Sequence, residues 1–182
     1  MSDEDVVGRV DSAVYTVPTD APEADSTLAD QGVTWFEEPV SSDHLRTLAA
    51  LRHRILADVT AGEYGYTLPY FQHMLAADAV DCLQADATRC GGLTVWLHVA
   101  ALARAHGLDI SAHCAPHAHA HAAAGVPNLR HMEWFHDHVR VERLLFDGVL
   151  DPRGGSVTPR GDRPPGLGLS LNTERGQPFR TR

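Results

Sequence analysis

Five short apolar runs in this sequence end on an ionisable residue. Glu37 closes "VTWFE", Glu63 closes "RILADVTAGE", Asp86 closes "VDCLQAD", His113 closes "LDISAH" and Glu133 closes "NLRHME". One such residue alone would mean little. Two carboxylates from neighbouring strands, Glu37 and Glu63, suit a hard divalent cation such as Mg²⁺, which takes oxygen ligands and keeps several waters. An Asp next to a His, Asp86 with His113, suits a general base. The carboxylate accepts from one ring nitrogen and fixes the tautomer of the other. The sum is a Mg²⁺ polarising a carboxylate, with a base beside its α-carbon.

Strands must carry these residues to one place. The pattern predicts strands at 33–39, 54–63, 80–86, 108–114 and 128–135, alternating with helices at 41–53, 67–79, 93–107 and 116–125. Alternation of this kind makes βαβ units and a parallel sheet. Trp35 with Glu37, Gln84 with Asp86, Ser111 with His113, and His131 with Glu133 fall on one face by period two. Leu83, Ala85, Ile110, Ala112 and Met132 point the other way, into a helix layer. In α/β barrels the active site lies at the carboxyl ends of the strands. The expected fold is therefore α/β, an incomplete TIM-type barrel of about five β/α units, with a doubly wound sheet as the rival. A full barrel needs ~250 residues, and this sequence has 182. An isolated strand pattern at 9–17 precedes the barrel units, and the part beyond Leu150 reads as an irregular closing segment.

The bulk numbers set limits. A net charge of −9 argues against a nucleic-acid partner, whose phosphates need a basic face. No apolar run is long enough to span a membrane. The acidic start "MSDEDVVGRV" lacks the order of a secretory signal, so a cytoplasmic location is the default. Three scattered cysteines, Cys82, Cys90 and Cys114, read as free thiols. All 15 Lys-plus-Arg residues are arginine.

The ordered series "WFEEPV", "AGEY", "QADATRCGGLT", "SAHCAPHAHAH", "RHMEWFHDH", "LLFDGVL" and "PPGLGL" resembles the mandelate racemase/muconate lactonizing enzyme family of the enolase superfamily. The likeness covers roughly 33–172, and "VYTVPTDAPEADSTLA" is similar to the first strand of that family's capping domain. The resemblance implies a (β/α)₇β barrel under an α+β cap, with acidic residues on three successive strands holding Mg²⁺. Glu37 and Glu63 then match the second and third ligands. Asp86 and His113 match the His–Asp base, and Glu133 matches the acid that hydrogen-bonds the substrate carboxylate. The implied reaction is abstraction of the proton α to the carboxylate of a hydroxy or sugar acid, followed by dehydration or epimerisation.

The sequence departs from that family between "STLADQG" and the strand of Glu37. Most of the cap and barrel strands one to three are missing there. With them go the first metal ligand and the lysine motif that supplies the opposite base. The resemblance thus implies an internally truncated member. Residues 1–32 would be a remnant of the capping domain, 33–150 a partial barrel and 151–182 a closing segment. Activity is expected to be impaired, the inner face to be accessible, and the open edge strands to invite a second copy or a complementing chain.

Plainer readings stand beside these. Glu37 and Glu38 could be an exposed pair, with Glu38 on the opposite face and structural. His113 could be a satisfied core histidine, and Asp86 could cap the helix that follows it. "HAHAH" reads as a polar helix face with incidental metal affinity, and "GLG" at 166–168 as a turn. Two other functions stay open: a non-catalytic remnant, and a His-rich metal-binding protein.

Overall fold

The structure is a computed structural model and describes residues 32–159 and 165–180, apart from the side chain of Asp137. The strand pattern at 9–17 and nearly all of the proposed cap remnant lie outside the described residues. Five strands follow one another: β1 (Trp35–Glu37), β2 (Asp58–Ala61), β3 (Cys82–Ala85), β4 (Asp109–Ala112) and β5 (Leu129–Met132). Between them run α1 (Leu45–Arg52), α2 (Leu68–Ala76), α3 (Leu93–Ala105) and α4 (Pro116–Ala123).

The five strands form one sheet in chain order, every neighbouring pair parallel. A doubly wound sheet would reverse its order at a switch point; this sheet does not, so it is a barrel segment. The helix-facing residues Val59, Ala61, Leu83, Ala85, Ile110 and Ala112 are all fully buried. They pack against Leu48, Phe71, Met74, Trp96 and Val99 from the helices, which makes one core. In α3 the buried positions Trp96, Val99, Ala100 and Ala103 recur at helical spacing and form its inner stripe.

The sheet is strongly curled. The rings of Trp35 on β1 and His131 on β5 lie 4.3 Å apart between centroids. Four strand spacings in a flat sheet would separate them by about 19 Å. Arg130, at an irregularity between β4 and β5, stacks on Trp35 and pairs with Asp58 of β2. The expectation of an accessible inner face is therefore wrong. Thr60, Gln84 and Ser111 point inward and are fully buried, because the two edges lean together over them. Among the described residues the edges themselves do not pair, and β1 and β5 each have one neighbour in the sheet.

Three local readings also change. A helix, α5 (His136–Leu145), follows β5 where no element was expected. Among its described side chains only Val139 is buried, and Val141 and Leu144 stay exposed. The closing segment is not wholly irregular: its β7 (Ser170–Leu171) pairs antiparallel with β6 (Phe146–Asp147), which precedes it, and α6 (Thr173–Gly176) follows. Arg175 fastens it by donating to the Phe146 carbonyl at 2.9 Å and Asp147 at 2.7 Å. The histidines of α4 do not form a polar face: His117 and His119 are buried. His117 accepts from the Leu150 amide at 2.9 Å and meets Glu142 at 2.9 Å, tying α4 to α5.

Candidate active site

The ladder runs one residue past the ends of β4 and β5. His113 donates its amide to the Ala85 carbonyl at 3.1 Å, and Glu133 donates to Ala112 at 3.0 Å. Asp86, His113 and Glu133 thus leave three adjacent strands side by side. Glu63 arrives from β2 through Gly62. That glycine has φ +130°, and a Cβ there would lie 2.2 Å from the Gln84 carbonyl oxygen. Only glycine lets the chain pass so close to β3.

His113 sits at the centre. Its Nδ1 lies 3.0 Å from Asp86 Oδ2. The other oxygen of Asp86 accepts from the amide and the hydroxyl of Thr88, each at 2.7 Å. Asp86 thus holds the dyad with one oxygen and the Thr88 turn with the other; it does not cap the following helix, which starts after Gly92 with no side-chain cap. Burial resists the charge on Asp86, but the hydrogen bonds from His113 and Thr88 outweigh it and hold the carboxyl down at about 2. Burial also resists a cation on His113. The Asp86 hydrogen bond, with the charges of Glu133 and Glu63, raises its pKa nonetheless.

Nε2 of His113 faces 3.0 Å to Glu63 Oε2 and 3.9 Å to Glu133 Oε2. Gln84 donates to Glu133 Oε1 at 3.0 Å, and the Cys114 amide donates to Oε2 at 2.8 Å. Burial is the largest influence on Glu133. With the charges of Glu37 and Glu63 it overcomes the amide bond and pushes the carboxyl up to about 7. Glu37 takes no hydrogen bond from this group. It accepts from the indole of Trp35 at 3.2 Å and acts on Glu133 through its charge. Glu38 has φ +39° and one buried carboxylate oxygen without a hydrogen-bond partner. Burial, then Glu63, raises its pKa as well.

Several members of this cluster did not stand out in the sequence. Arg89, three residues after Asp86, reaches the Glu63 carboxylate at 3.4 Å and lies 3.5 Å from Asp86. Its loop position was the available signal. Gln84 shares a face with Asp86, but its grip on Glu133 depends on the sheet's curvature. His119 donates to the Cys114 carbonyl at 2.8 Å and accepts from the Ala87 amide at 2.9 Å, so it braces the two loops that carry the dyad.

The donor chemistry fits a hard cation. Glu37, Glu63 and Glu133 crowd negative charge into one space, and two carboxyls beside them or among them are forced towards neutrality. A divalent cation taking oxygen ligands would relieve that crowding.

The family model described as Enolase C-terminal domain-like matches residues 5–175. A solved mandelate racemase/muconate lactonizing enzyme-like protein from Rubrobacter xylanophilus is 49% identical, with a TM-score of 0.78 over 83% of this chain and 42% of its own. A Bradyrhizobium enolase complexed with magnesium and mandelic acid is 32% identical, with a TM-score of 0.78 over 86% of this chain and 42% of its own. An L-talarate/galactarate dehydratase of Salmonella typhimurium is 29% identical over 77% of this chain and 34% of its own length. The chain thus spans less than half the length of each of these relatives.

Proposed function

Because this chain belongs to the enolase C-terminal domain-like family, we propose that it abstracts the proton α to the carboxylate of a hydroxy or sugar acid, leading to dehydration or epimerisation. The observation that carries this reading is the 3.0 Å contact of His113 Nδ1 with Asp86 Oδ2, with Nε2 turned into a nest of carboxylates at the strand ends. Asp86 keeps the proton on Nδ1, which leaves the Nε2 lone pair to take the substrate's α-proton. Once His113 is protonated, Asp86 stabilises the cation. Glu133, held up at about 7, keeps a proton near neutral pH and can donate it in a hydrogen bond to a substrate carboxylate oxygen. Mg²⁺, which Glu37 and Glu63 would hold, supplies positive charge to the substrate carboxylate as the α-carbon loses its proton.

The sequence contains no lysine, so His113 is a one-sided base. Two glutamate ligands also hold an ion less firmly than three. Both points support impaired turnover, with proton exchange at the α-carbon outlasting complete reaction. We keep the division into a cap remnant (1–32), a partial barrel (33–150) and a closing segment (151–182). The edges of β1 and β5, unpaired among the described residues, support completion by a second copy or a complementing chain.

The test is Mg²⁺-dependent exchange of the α-proton into D₂O across a panel of sugar acids, read by mass. Exchange that disappears in His113→Asn is the expected result. A folded protein that exchanges no acid, or exchanges as fast without His113, overturns the reading.

A further inference from the structure

Cys114 takes no part in the reaction proposed above, yet its thiol is aimed at the reacting nitrogen. Its Sγ lies 3.3 Å from His113 Nε2. Cys114 and Ala115 both have positive φ, +50° and +39°, and this tight turn swings the thiol back over the imidazole. Glu133 closes the group: one donor atom each from His113, Cys114 and Glu133 lie within 4.8 Å of one another.

We propose that His113 Nε2, Cys114 Sγ and Glu133 form a site for a thiophilic divalent metal, zinc in the first place, which blocks the base when filled. Zinc binds nitrogen, sulfur and oxygen at about 2.0–2.3 Å, which puts tetrahedral ligand atoms about 3.3–3.6 Å apart. The sulfur–nitrogen distance of 3.3 Å is already there. The nitrogen–oxygen distance of 3.9 Å needs only a small closure.

The surroundings are those of a built site. Metal-binding histidines usually give their other ring N–H to a carboxylate, which orients the ring and raises its basicity. Asp86 does this at 3.0 Å. Ligating carboxylates are themselves hydrogen-bonded, and Glu133 is held by Gln84 and by the Cys114 amide. Three protein ligands leave a fourth position, and Glu63 Oε2, 3.0 Å from Nε2, stands beside it. The soft sulfur separates this site from the all-oxygen Mg²⁺ set, because thiolate ligands select zinc over magnesium. Zinc on Nε2 takes the lone pair that would accept a proton, so a filled site blocks the base.

The chelator-stripped full chain is titrated with Co²⁺ alone. The expected spectrum has a near-ultraviolet thiolate-to-cobalt band and intense visible bands of four-coordinate cobalt, both bleached by Zn²⁺. Cys114→Ala should lose the near-ultraviolet band and weaken zinc at least tenfold, while Cys82→Ala and Cys90→Ala keep both. In the unaltered chain, one equivalent of zinc should slow alkylation of Cys114 at least tenfold. No thiolate band, a band that survives Cys114→Ala, or alkylation indifferent to zinc overturns the proposal. None of these readings needs turnover, so they stand apart from the exchange experiment.

Discussion

Asp86 is where burial and hydrogen bonding pull hardest against each other. Its carboxyl is held down at about 2 in the folded chain, against an ordinary value of 3.8. The folded pKa is the lower one, so the ion contributes stability above the unfolded value and loses it as pH falls. That contribution is roughly 2 kcal/mol above pH 5 and fades as pH drops from about 4 towards 2. Urea unfolding should show this slope in the unaltered chain and a flatter one in Asp86→Asn, which should also lose α-proton exchange by roughly 10²–10⁴-fold. Glu133 has the opposite sign. Its folded pKa, about 7, lies above the ordinary 4.5, so stability falls as pH rises between those values. In metal-free buffer Glu133→Gln should be the more stable by roughly 1–3 kcal/mol at pH 8 and show no such gain at pH 4. Denaturant midpoints at the two pH values decide it. Glu37, Asp86, His113 and Glu133 stand out in the sequence because each ends an apolar run in period with an inward residue two before it; Glu63 stands out only as the acid at a strand's exit, since Thr60 points inward and the chain turns at Gly62. Arg89 and Cys114 do not stand out, since they sit in loops and nothing in their spacing foretells a turn back towards His113.

At the scale of elements, the end of β2 depends on one residue without a side chain. A Cβ on Gly62 would meet the Gln84 carbonyl oxygen at 2.2 Å, and its φ of +130° is costly for any other residue. Gly62→Ala should destabilise the fold by roughly 2–4 kcal/mol and displace Glu63. A lower urea midpoint together with weaker Mg²⁺ binding is the expected pair of results; normal Mg²⁺ binding would show that β2 can shift without disturbing its glutamate. The five strands and α1 to α3 were legible because apolar runs of strand length alternate with apolar residues at helical spacing; α4 was legible from its alanine content, since its burial runs nearly all round. The helix α5 was not, because "HDHVRVERLL" has few apolar residues, and of these Val141 and Leu144 stay exposed. The β6–β7 pair was not, because two-residue strands have no period to read. The histidines of α4 misled for a different reason. Hydropathy marks them as polar, but His117 and His119 are buried with their ring nitrogens engaged by backbone groups and Glu142.

The whole molecule turns on how far the sheet curls, a property that strand patterns alone do not carry. Five strands leave the segment unclosed, and a flat arrangement would put the inner polar row in water. Trp35 prevents this. It stacks edge-on against His131, lies 4.9 Å beneath the Arg130 guanidinium, and donates its N–H to Glu37, so one indole joins β1 to β5 and orients a proposed metal ligand. Trp35 is only partly buried, so removing it should cost less than the roughly 3–5 kcal/mol of a core aromatic truncated to alanine. The consequence should also be regional. In Trp35→Ala, amides of β1 and β5 should exchange with D₂O faster than those of β3, which stays between two neighbours. Trp35→Phe keeps a ring against His131 but loses the N–H. It should hold the curl while loosening Glu37, so its exchange pattern stays near that of the unaltered chain and its Mg²⁺ binding falls. Uniform acceleration of all five strands in Trp35→Ala would instead mean that the curl is set by the helix layer, and that the meeting of β1 with β5 is its result.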